Sequence, residues 1–269
     1  MFVTRLISGI VLVAVALVTI LAGGPVLLVT LLAVSVIGMH ELYQVTKVDD
    51  QSYTSSLAIA GYCAAIVYYT VLFLGKTAWL PHFLLLGLLA MMTVYVVAYP
   101  RYQSHQVMAA FFTLVYVAVM LSYIYQTRML EHGKYTVWLI FFCSWGCDTC
   151  AYCVGMLFGR HKMAPVLSPK KSVEGAVGGV AGAVILGVVY ASLTGKASWN
   201  APLLEYGIIC GIGAVLSMVG DLGASAIKRN HGIKDYGKLI PGHGGILDRF
   251  DSVIFVSPVI YMLSLILFH

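Results

Sequence analysis

The chain has 269 residues, of which 60% are apolar and only 10% are charged, and its mean hydropathy is +0.92. Soluble domains are usually about one quarter charged, so this composition excludes a soluble domain and indicates a protein that lies in lipid. The formal charge of +5 is small and the basic residues are not spread over a soluble face, so we expect no nucleic-acid partner.

Apolar runs long enough to cross a bilayer core, which takes about 20 residues per helix, follow one another along the whole chain. The nine candidate spans lie near residues 5–23, 25–44, 54–75, 78–98, 106–127, 135–158, 173–194, 203–226 and 252–268. Gly23, Gly24 and Pro25 separate the first two and predict a tight reversal, with proline opening the second helix. We therefore expect an all-α, polytopic integral membrane protein with about nine transmembrane helices.

The basic residues are distributed unevenly between the two sides of this arrangement. Twelve of the sixteen lie on the side that holds the N-terminus and the loops after spans two, four, six and eight. The positive-inside rule places that side in the cytoplasm and the C-terminus outside. Nine of the twelve fall within residues 160–171 and 228–249. Orientation alone does not require so many, so we infer either anionic headgroups or a bound anionic ligand.

Small residues in the sixth and seventh spans predict close packing. Four cysteines crowd the sixth span at roughly helical spacing: Cys143, Cys147, Cys150 and Cys153. They lack the separated Cys-x-x-Cys pairs of zinc sites, so we interpret them as packing residues. Overlapping Gly-x-x-x-Gly spacings over residues 175–182 favour close helix contact, either within a subunit or between two subunits.

Acidic residues inside apolar runs are informative because they are rare. Asp148 lies about 18 Å from Arg160 along a straight helix, and a charge at that depth costs roughly 2.5–3.5 kcal/mol. Such residues usually face an internal polar cavity; a protonated or locally paired carboxyl in helix packing is the alternative. A polar helix end at the interface is the favoured interpretation of His40 and Glu41, near the end of the second span, and a functional role is the alternative.

The first basic loop covers residues 158–175. Ser168 with Pro169 predicts a turn, and Ser172 together with the following Glu-Gly pair predicts the start of the seventh span. Lys170 and Lys171 would then lie beside a helix N-terminus, where backbone donors and the helix dipole favour an anion. Anchoring by the positive-inside rule is the alternative.

The second basic loop, between the last two spans, combines cations, glycines and carboxylates. Its five cations are Lys228, Arg229, Lys234, Lys238 and Arg249. Glycines at 242, 244 and 245 let a backbone pass close to a ligand and point amides at it. Asp248 and Asp251 share a face if the segment is helical, and Asp221 lies about 10 Å down a helix from Lys228.

These residue types suit phosphate chemistry. Magnesium takes oxygen ligands and is commonly shared with substrate phosphates. Phosphoryl and nucleotidyl transfer depend mainly on positioning and on neutralisation of charge by metal ions, Lys and Arg. A solvated loop with a polybasic lipid-binding patch is the alternative.

The segment 225–251 resembles the signature of the phosphatidate cytidylyltransferase (CDP-diacylglycerol synthase) family. The matching residues are Ser225, Lys228, Arg229, Lys234, Asp235, Pro241, His243, Gly244, Gly245, Asp248, Arg249 and Asp251. An Asp-x-x-x-Tyr element (Asp148 and Tyr152) and a Ser-x-Lys-Lys element before Glu-Gly also match. Length, number of spans and the position of the motif extend the resemblance over essentially the whole chain.

The resemblance implies transfer of CMP from CTP to phosphatidic acid, giving CDP-diacylglycerol and pyrophosphate in phospholipid biosynthesis. It implies Mg²⁺, held by Asp221, Asp248 and Asp251, and leaves a second cation open. The implied catalytic residues are Asp221, Asp248, Asp251, Lys228, Arg229 and Arg249. The implied substrate-binding residues are Asp148, Tyr152, Ser168, Lys170, Lys171, Ser225, Lys234, Lys238, His243, Gly244 and Gly245. It further implies a homodimer among membrane lipids, in the plasma (inner) membrane.

On this basis we expect N-terminal transmembrane helices over residues 1–130 and catalytic ones over 131–269, with cytoplasmic loops at 159–172 and 228–251. Two other classes stay open. An anion transporter would show repeated broken helices in two halves, and the sequence has no internal repeat. A polyprenol kinase-like lipid-headgroup enzyme would use a nucleotide to make a lipid phosphate without CMP transfer.

Overall fold

The computed structural model describes residues 2–49, 55–198, 203–242 and 244–268. Within these ranges nine helices follow one another: α1 Phe2–Ala22, α2 Gly24–Val45, α3 Ser56–Phe73, α4 Thr77–Val97, α5 Ser104–Arg128, α6 Gly133–Phe158, α7 Val173–Ser198, α8 Leu203–Asn230 and α9 Leu247–Leu267. Eight of them, α2 to α9, are long and apolar enough to cross a bilayer, and α1 adds a shorter apolar segment. The predicted all-α, polytopic membrane architecture is confirmed.

The helix boundaries follow local sequence signals. Gly23 and Gly24 have φ of 62° and 47°, a region that glycine enters without steric cost, and Pro25 stands in the first turn of α2. The predicted reversal between the first two helices is therefore confirmed. At the start of α7, the Ser172 hydroxyl accepts a hydrogen bond of 3.1 Å from the Gly175 amide, as an N-cap serine does.

A short β-hairpin occupies the loop between α6 and α7. Strand β1, Lys162–Ala164, pairs antiparallel with β2, Ser168–Ser172. The predicted turn at Ser168 and Pro169 is wrong, because the turn covers residues 165–167 and both residues belong to β2. Proline is tolerated there since each strand of a two-stranded ribbon is an edge strand, where a missing N–H need not break a ladder bond.

The chain folds as two compact units. The first comprises residues 1–125 and 235–249, and the second comprises residues 126–234 and 250–269. In the core of the first unit, the buried hydroxyl of Tyr69 lies 2.9 Å from that of Ser35 and donates to the Ala118 carbonyl at 3.2 Å. The functional division near residue 130 stays a prediction.

In the second unit, glycines bring the helices close together. A Cβ at Gly178 of α7 would lie 2.5 Å from the Cβ of Val154, and one at Gly179 would lie 3.0 Å from the Sγ of Cys147. The glycine spacings therefore serve contact between α7 and α6 within one chain. A Cβ at Gly213 of α8 would similarly lie 2.7 Å from the Sγ of Cys143, so these cysteines act as packing residues.

Candidate active site

A cavity of about 420 Å³ opens in the second unit among α6, the hairpin, α7 and α8. Both polar and apolar side chains line the cavity. The polar lining includes Asp148, Tyr152, Lys170, Lys171 and Asp221. Methionines from α6, β1 and α8 supply apolar lining: Met156, Met163 and Met218. Charged groups beside flexible apolar side chains suit a ligand that carries both phosphate and hydrocarbon.

The hairpin and α8 are joined inside this cavity by an ion pair. The ammonium of Lys171 pairs with the Oδ2 carboxylate oxygen of Asp221. One turn further along α8, the Ser225 hydroxyl donates a long hydrogen bond of 3.5 Å to Oδ1 of the same carboxylate. Asp221 thus has a cation on one oxygen and a hydroxyl on the other.

A second carboxylate, that of Asp251, belongs to the same electrostatic cluster. It is buried in α9 with 8% exposure, and its charge interacts with those of Asp221, Lys228 and Asp148. A Cβ at Gly220 would lie 3.1 Å from the Asp251 carbonyl oxygen, so α8 and α9 approach closely at this level. Asp221 follows Gly220, so this close approach places the carboxylates of Asp221 and Asp251 in one region of low dielectric constant. Like charges repel each other strongly in such a region.

This cluster has the chemistry of a magnesium site. Among the described residues, no three His, Cys, Asp or Glu side chains form a ready metal-binding group. Magnesium, however, usually binds through one or two carboxylates and completes its shell with water and substrate phosphates. Asp221 and Asp251 fit that requirement, and Lys171 already shows that a cation is accepted beside Asp221.

The third predicted ligand, Asp248, has a separate role in the first unit. Its Oδ2 accepts hydrogen bonds from the amides of Tyr236, at 2.8 Å, and Gly245, at 3.0 Å. Asp248 therefore closes the loop that precedes α9. Its assignment as a metal ligand stays a prediction.

The glycines in this loop are required by its backbone. Gly242 and Gly244 have φ of 78° and 85°, and the Ile240 amide donates to the Gly244 carbonyl at 2.8 Å. The Gly245 amide, which the sequence suggested would point at a ligand, instead binds Asp248. Substrate binding by Gly244 and Gly245 stays a prediction.

Glu174 anchors the hairpin that carries the two lysines. Its carboxylate accepts hydrogen bonds from the amides of Arg160, at 3.1 Å, and His161, at 3.2 Å, and lies 2.6 Å from the Nδ1 of His161. The residues that lead into β1, the partner strand of the lysine-bearing β2, are thereby held against the first turn of α7.

Glu41 of α2 anchors the second basic loop by accepting hydrogen bonds from two backbone amides. Its Oε1 accepts from the Ile246 amide at 2.9 Å and its Oε2 accepts from the Leu247 amide at 2.8 Å. The side chain is only 6% exposed, so the interpretation of Glu41 as a polar helix end at the interface is wrong. Its position inside an apolar run was the signal that could have revealed it.

The remaining predicted site residues are distributed over α6, the end of α8, the start of α9 and the two loops. Tyr152 lines the cavity with 69% exposure, and Lys228 is buried with 9% exposure. Arg229 donates from Nη1 to the Ile233 carbonyl at 2.9 Å, beside the end of α8. Three others occupy partly or fully exposed loop and strand positions: Ser168, Lys234 and Lys238. Arg249 is half-buried in the first turn of α9, and His243 lies outside the described residues.

Comparisons with known proteins cover nearly the whole chain. The profile described as "Cytidylyltransferase family" matches residues 3–267. The chain is 32% identical over 264 residues to the phosphatidate cytidylyltransferase of Staphylococcus saprophyticus subsp. saprophyticus. Identity is 32% over 268 residues with that of Staphylococcus epidermidis and 30% over 270 residues with that of Staphylococcus aureus. Each alignment covers 96% of this chain and 97% of the relative.

Proposed function

Because the chain belongs to the cytidylyltransferase family, we propose that it transfers CMP from CTP to phosphatidic acid, giving CDP-diacylglycerol and pyrophosphate. Its relatives that are named phosphatidate cytidylyltransferases align with nearly its full length. The structural observation that carries the proposal is the cavity where Lys170 and Lys171 meet Asp148 and Asp221 beside apolar methionines. A phosphate-bearing lipid and a nucleotide both find suitable groups there.

The reaction joins two anions. A phosphate oxygen of the lipid attacks the α-phosphorus of CTP, and the bond from that phosphorus to the bridging oxygen of pyrophosphate breaks. A phosphomonoester, with a second pKa of about 6, is largely dianionic near neutrality, so the attack requires no strong protein base. The protein must instead offset the repulsion between the reactants, which is the work of Lys and Arg side chains.

Different residues of the chain bind the triphosphate, offset its negative charge and position the Asp221 carboxylate. Lys170 and Lys171 hold the triphosphate over the first turn of α7. In the structure Lys171 is paired with Asp221, and an incoming triphosphate, with its larger charge, competes for that ammonium. Lys228, Arg229 and Arg249 offset the remaining negative charge, and Ser225 keeps the Asp221 carboxylate in position.

The residues that would hold magnesium are Asp221 and Asp251, with Asp248 as a predicted third ligand. When bound, the ion withdraws charge from the phosphates of the nucleotide. In this proposal Asp221 and the buried Asp251 share the cation, and Lys171 and Lys228 belong to the same cluster of charges. A second cation remains open in this proposal.

The cellular setting follows from charge distribution and family. We place the N-terminus and both basic loops in the cytoplasm, where CTP is found, and the C-terminus outside, in the plasma (inner) membrane. Phosphatidic acid reaches the cavity from the surrounding lipids. A homodimer is proposed on the resemblance alone.

Labelled nucleotide tests the reaction directly. The full-length protein in lipid nanodiscs that contain phosphatidic acid is incubated with CTP labelled at either the α- or the γ-phosphate. We expect the α label in lipid, an equal amount of pyrophosphate, and loss of both when magnesium is chelated. A γ label in lipid would indicate a kinase instead, and no labelled lipid with either nucleotide would refute the proposal.

A further inference from the structure

We infer that Glu41 is a positioning residue for the nucleotidyl transfer, because its carboxylate sets the backbone of loop 235–247 and of the first turn of α9. The inference rests on the proposed function. It adds a residue that lies far outside the signature segment and that touches no substrate. Asp248 and Arg249, the first charged side chains of α9, are carried on the backbone that Glu41 holds.

The two hydrogen bonds of Glu41 cap the start of α9. The first amides of a helix have no partners within the helix, and a residue next to them in sequence usually accepts from them. At α9 this acceptor comes instead from 206 positions earlier in the chain, with one carboxylate oxygen for each of two successive amides. A negative charge there also interacts favourably with the positive end of the helix dipole.

The loop also surrounds the Glu41 carboxylate closely. A Cβ added at Gly237 or at Gly245 would lie 2.5 Å from the Oε1 of Glu41. Real Cβ atoms do not approach an oxygen so closely, so a side chain at either position would displace the Glu41 carboxylate. The loop backbone therefore contacts Glu41 at two places as well as through its hydrogen bonds, and it is shaped around this one side chain.

Glu41 and Asp248 accept hydrogen bonds from consecutive amides. The Gly245 amide donates to Asp248, while the Ile246 and Leu247 amides donate to Glu41. Asp248 is itself buried and also binds the Tyr236 amide. Loss of the Glu41 carboxylate would leave the Ile246 and Leu247 amides without their acceptor, directly next to the Gly245 amide that binds Asp248. The orientation of Asp248 is therefore coupled to Glu41.

A positioning role predicts an effect mainly on turnover. A small misplacement of catalytic groups can lower a rate by up to about 100-fold, so we expect Glu41→Gln to lower kcat by about 10- to 100-fold. The KM for CTP should change much less, because the hairpin lysines remain. Glutamine keeps one acceptor oxygen but presents an NH2 group to the second amide. Glu41→Asp keeps the charge but shortens the reach, and it should retain more activity than Glu41→Gln.

The experiment uses full-length protein in nanodiscs and compares wild type with Glu41→Gln, Glu41→Asp and Glu131→Gln. Glu131 is an exposed carboxylate in the connection between α5 and α6, and it serves as the matched control. Amide hydrogen exchange is followed peptide by peptide, and kcat and KM are measured on the same preparations. We expect faster amide exchange in both Glu41 variants, confined to residues 235–249 and more pronounced in Glu41→Gln than in Glu41→Asp. We expect kcat to be lower in Glu41→Gln than in Glu41→Asp as well.

The outcomes separate the two proposals. Wild-type exchange over 235–249 in Glu41→Gln, or faster exchange there with an unchanged kcat, would overturn the positioning role. Faster exchange throughout α6, α7 and α8 would also overturn it, since Glu41 would then support the fold as a whole. If the wild type and the control make no CDP-diacylglycerol, the proposed function fails. The exchange data then still decide whether Glu41 holds the loop.

Discussion

Lys171 and Asp221 form an ion pair that joins the β-hairpin to α8 within the candidate active site. Both residues have their own predicted partners, the triphosphate for the lysine and a metal ion for the aspartate. In the ion pair each offsets the charge of the other in a region where an unpaired charge is costly. Binding of the nucleotide would therefore exchange one set of charge partners for another, and removal of either residue should have its own kinetic signature.

Replacement of Lys171 by Met should weaken nucleotide binding. A hydrogen bond to a charged group contributes about 1.5–3 kcal/mol, so the KM for CTP should rise by about 10- to 100-fold. Lys162→Met, on the exposed neighbouring strand, is the matched control and should change KM little. Initial rates over a range of CTP concentrations check this, and equal KM values for the two variants would contradict it.

Neutralisation of Asp251 should weaken the dependence on magnesium. Asp251→Asn removes one of the two proposed carboxylate ligands, so more magnesium should be needed for half-maximal rate and kcat should fall by about 100-fold or more. Glu205→Gln, in the first turn of α8, is the control. Rates measured against magnesium concentration test the prediction. An unchanged magnesium curve for Asp251→Asn would remove Asp251 from the proposed site.

A side chain at Gly178 should destabilise the second unit. The Cβ of Gly178→Ala would lie 2.5 Å from that of Val154, and such overpacking typically costs about 1–3 kcal/mol. Gly223→Ala on α8 is the control, since no heavy atom lies within 4 Å of its added Cβ. Thermal unfolding in detergent should show a lower Tm for Gly178→Ala alone. Equal melting temperatures would show that α6 and α7 are not packed this closely.

Removal of the Glu174 carboxylate should release the hairpin without unfolding the protein. Glu174→Ala leaves the Arg160 and His161 amides without their acceptor, so trypsin should cleave faster within residues 160–171. The KM for CTP should rise because Lys170 and Lys171 are less well held. The Tm should change little, since the bonds of Glu174 lie at an exposed position. A wild-type cleavage rate would contradict the anchoring role.

The sequence by itself determined the membrane class and the nature of the chemistry. Spans could be recognised because a bilayer imposes a length and an apolar composition on each helix, and both are local properties. The signature over residues 225–251 could be recognised because its glycines, cations and carboxylates are close in sequence. The start of α7 was predicted from Ser172 for the same reason, since capping is a local interaction.

Only the tertiary structure decided which distant residues meet. Sequence periodicity could not predict that Lys171 pairs with Asp221 or that Glu41 accepts from the amides of Ile246 and Leu247. Those contacts depend on how elements that are distant in sequence pack. It also decided that the α7 glycines within residues 175–182 face α6 of the same chain. Pairing across a ribbon likewise decided that Ser168 and Pro169 belong to a strand, since a two-stranded edge tolerates a proline that local turn propensity would have placed elsewhere.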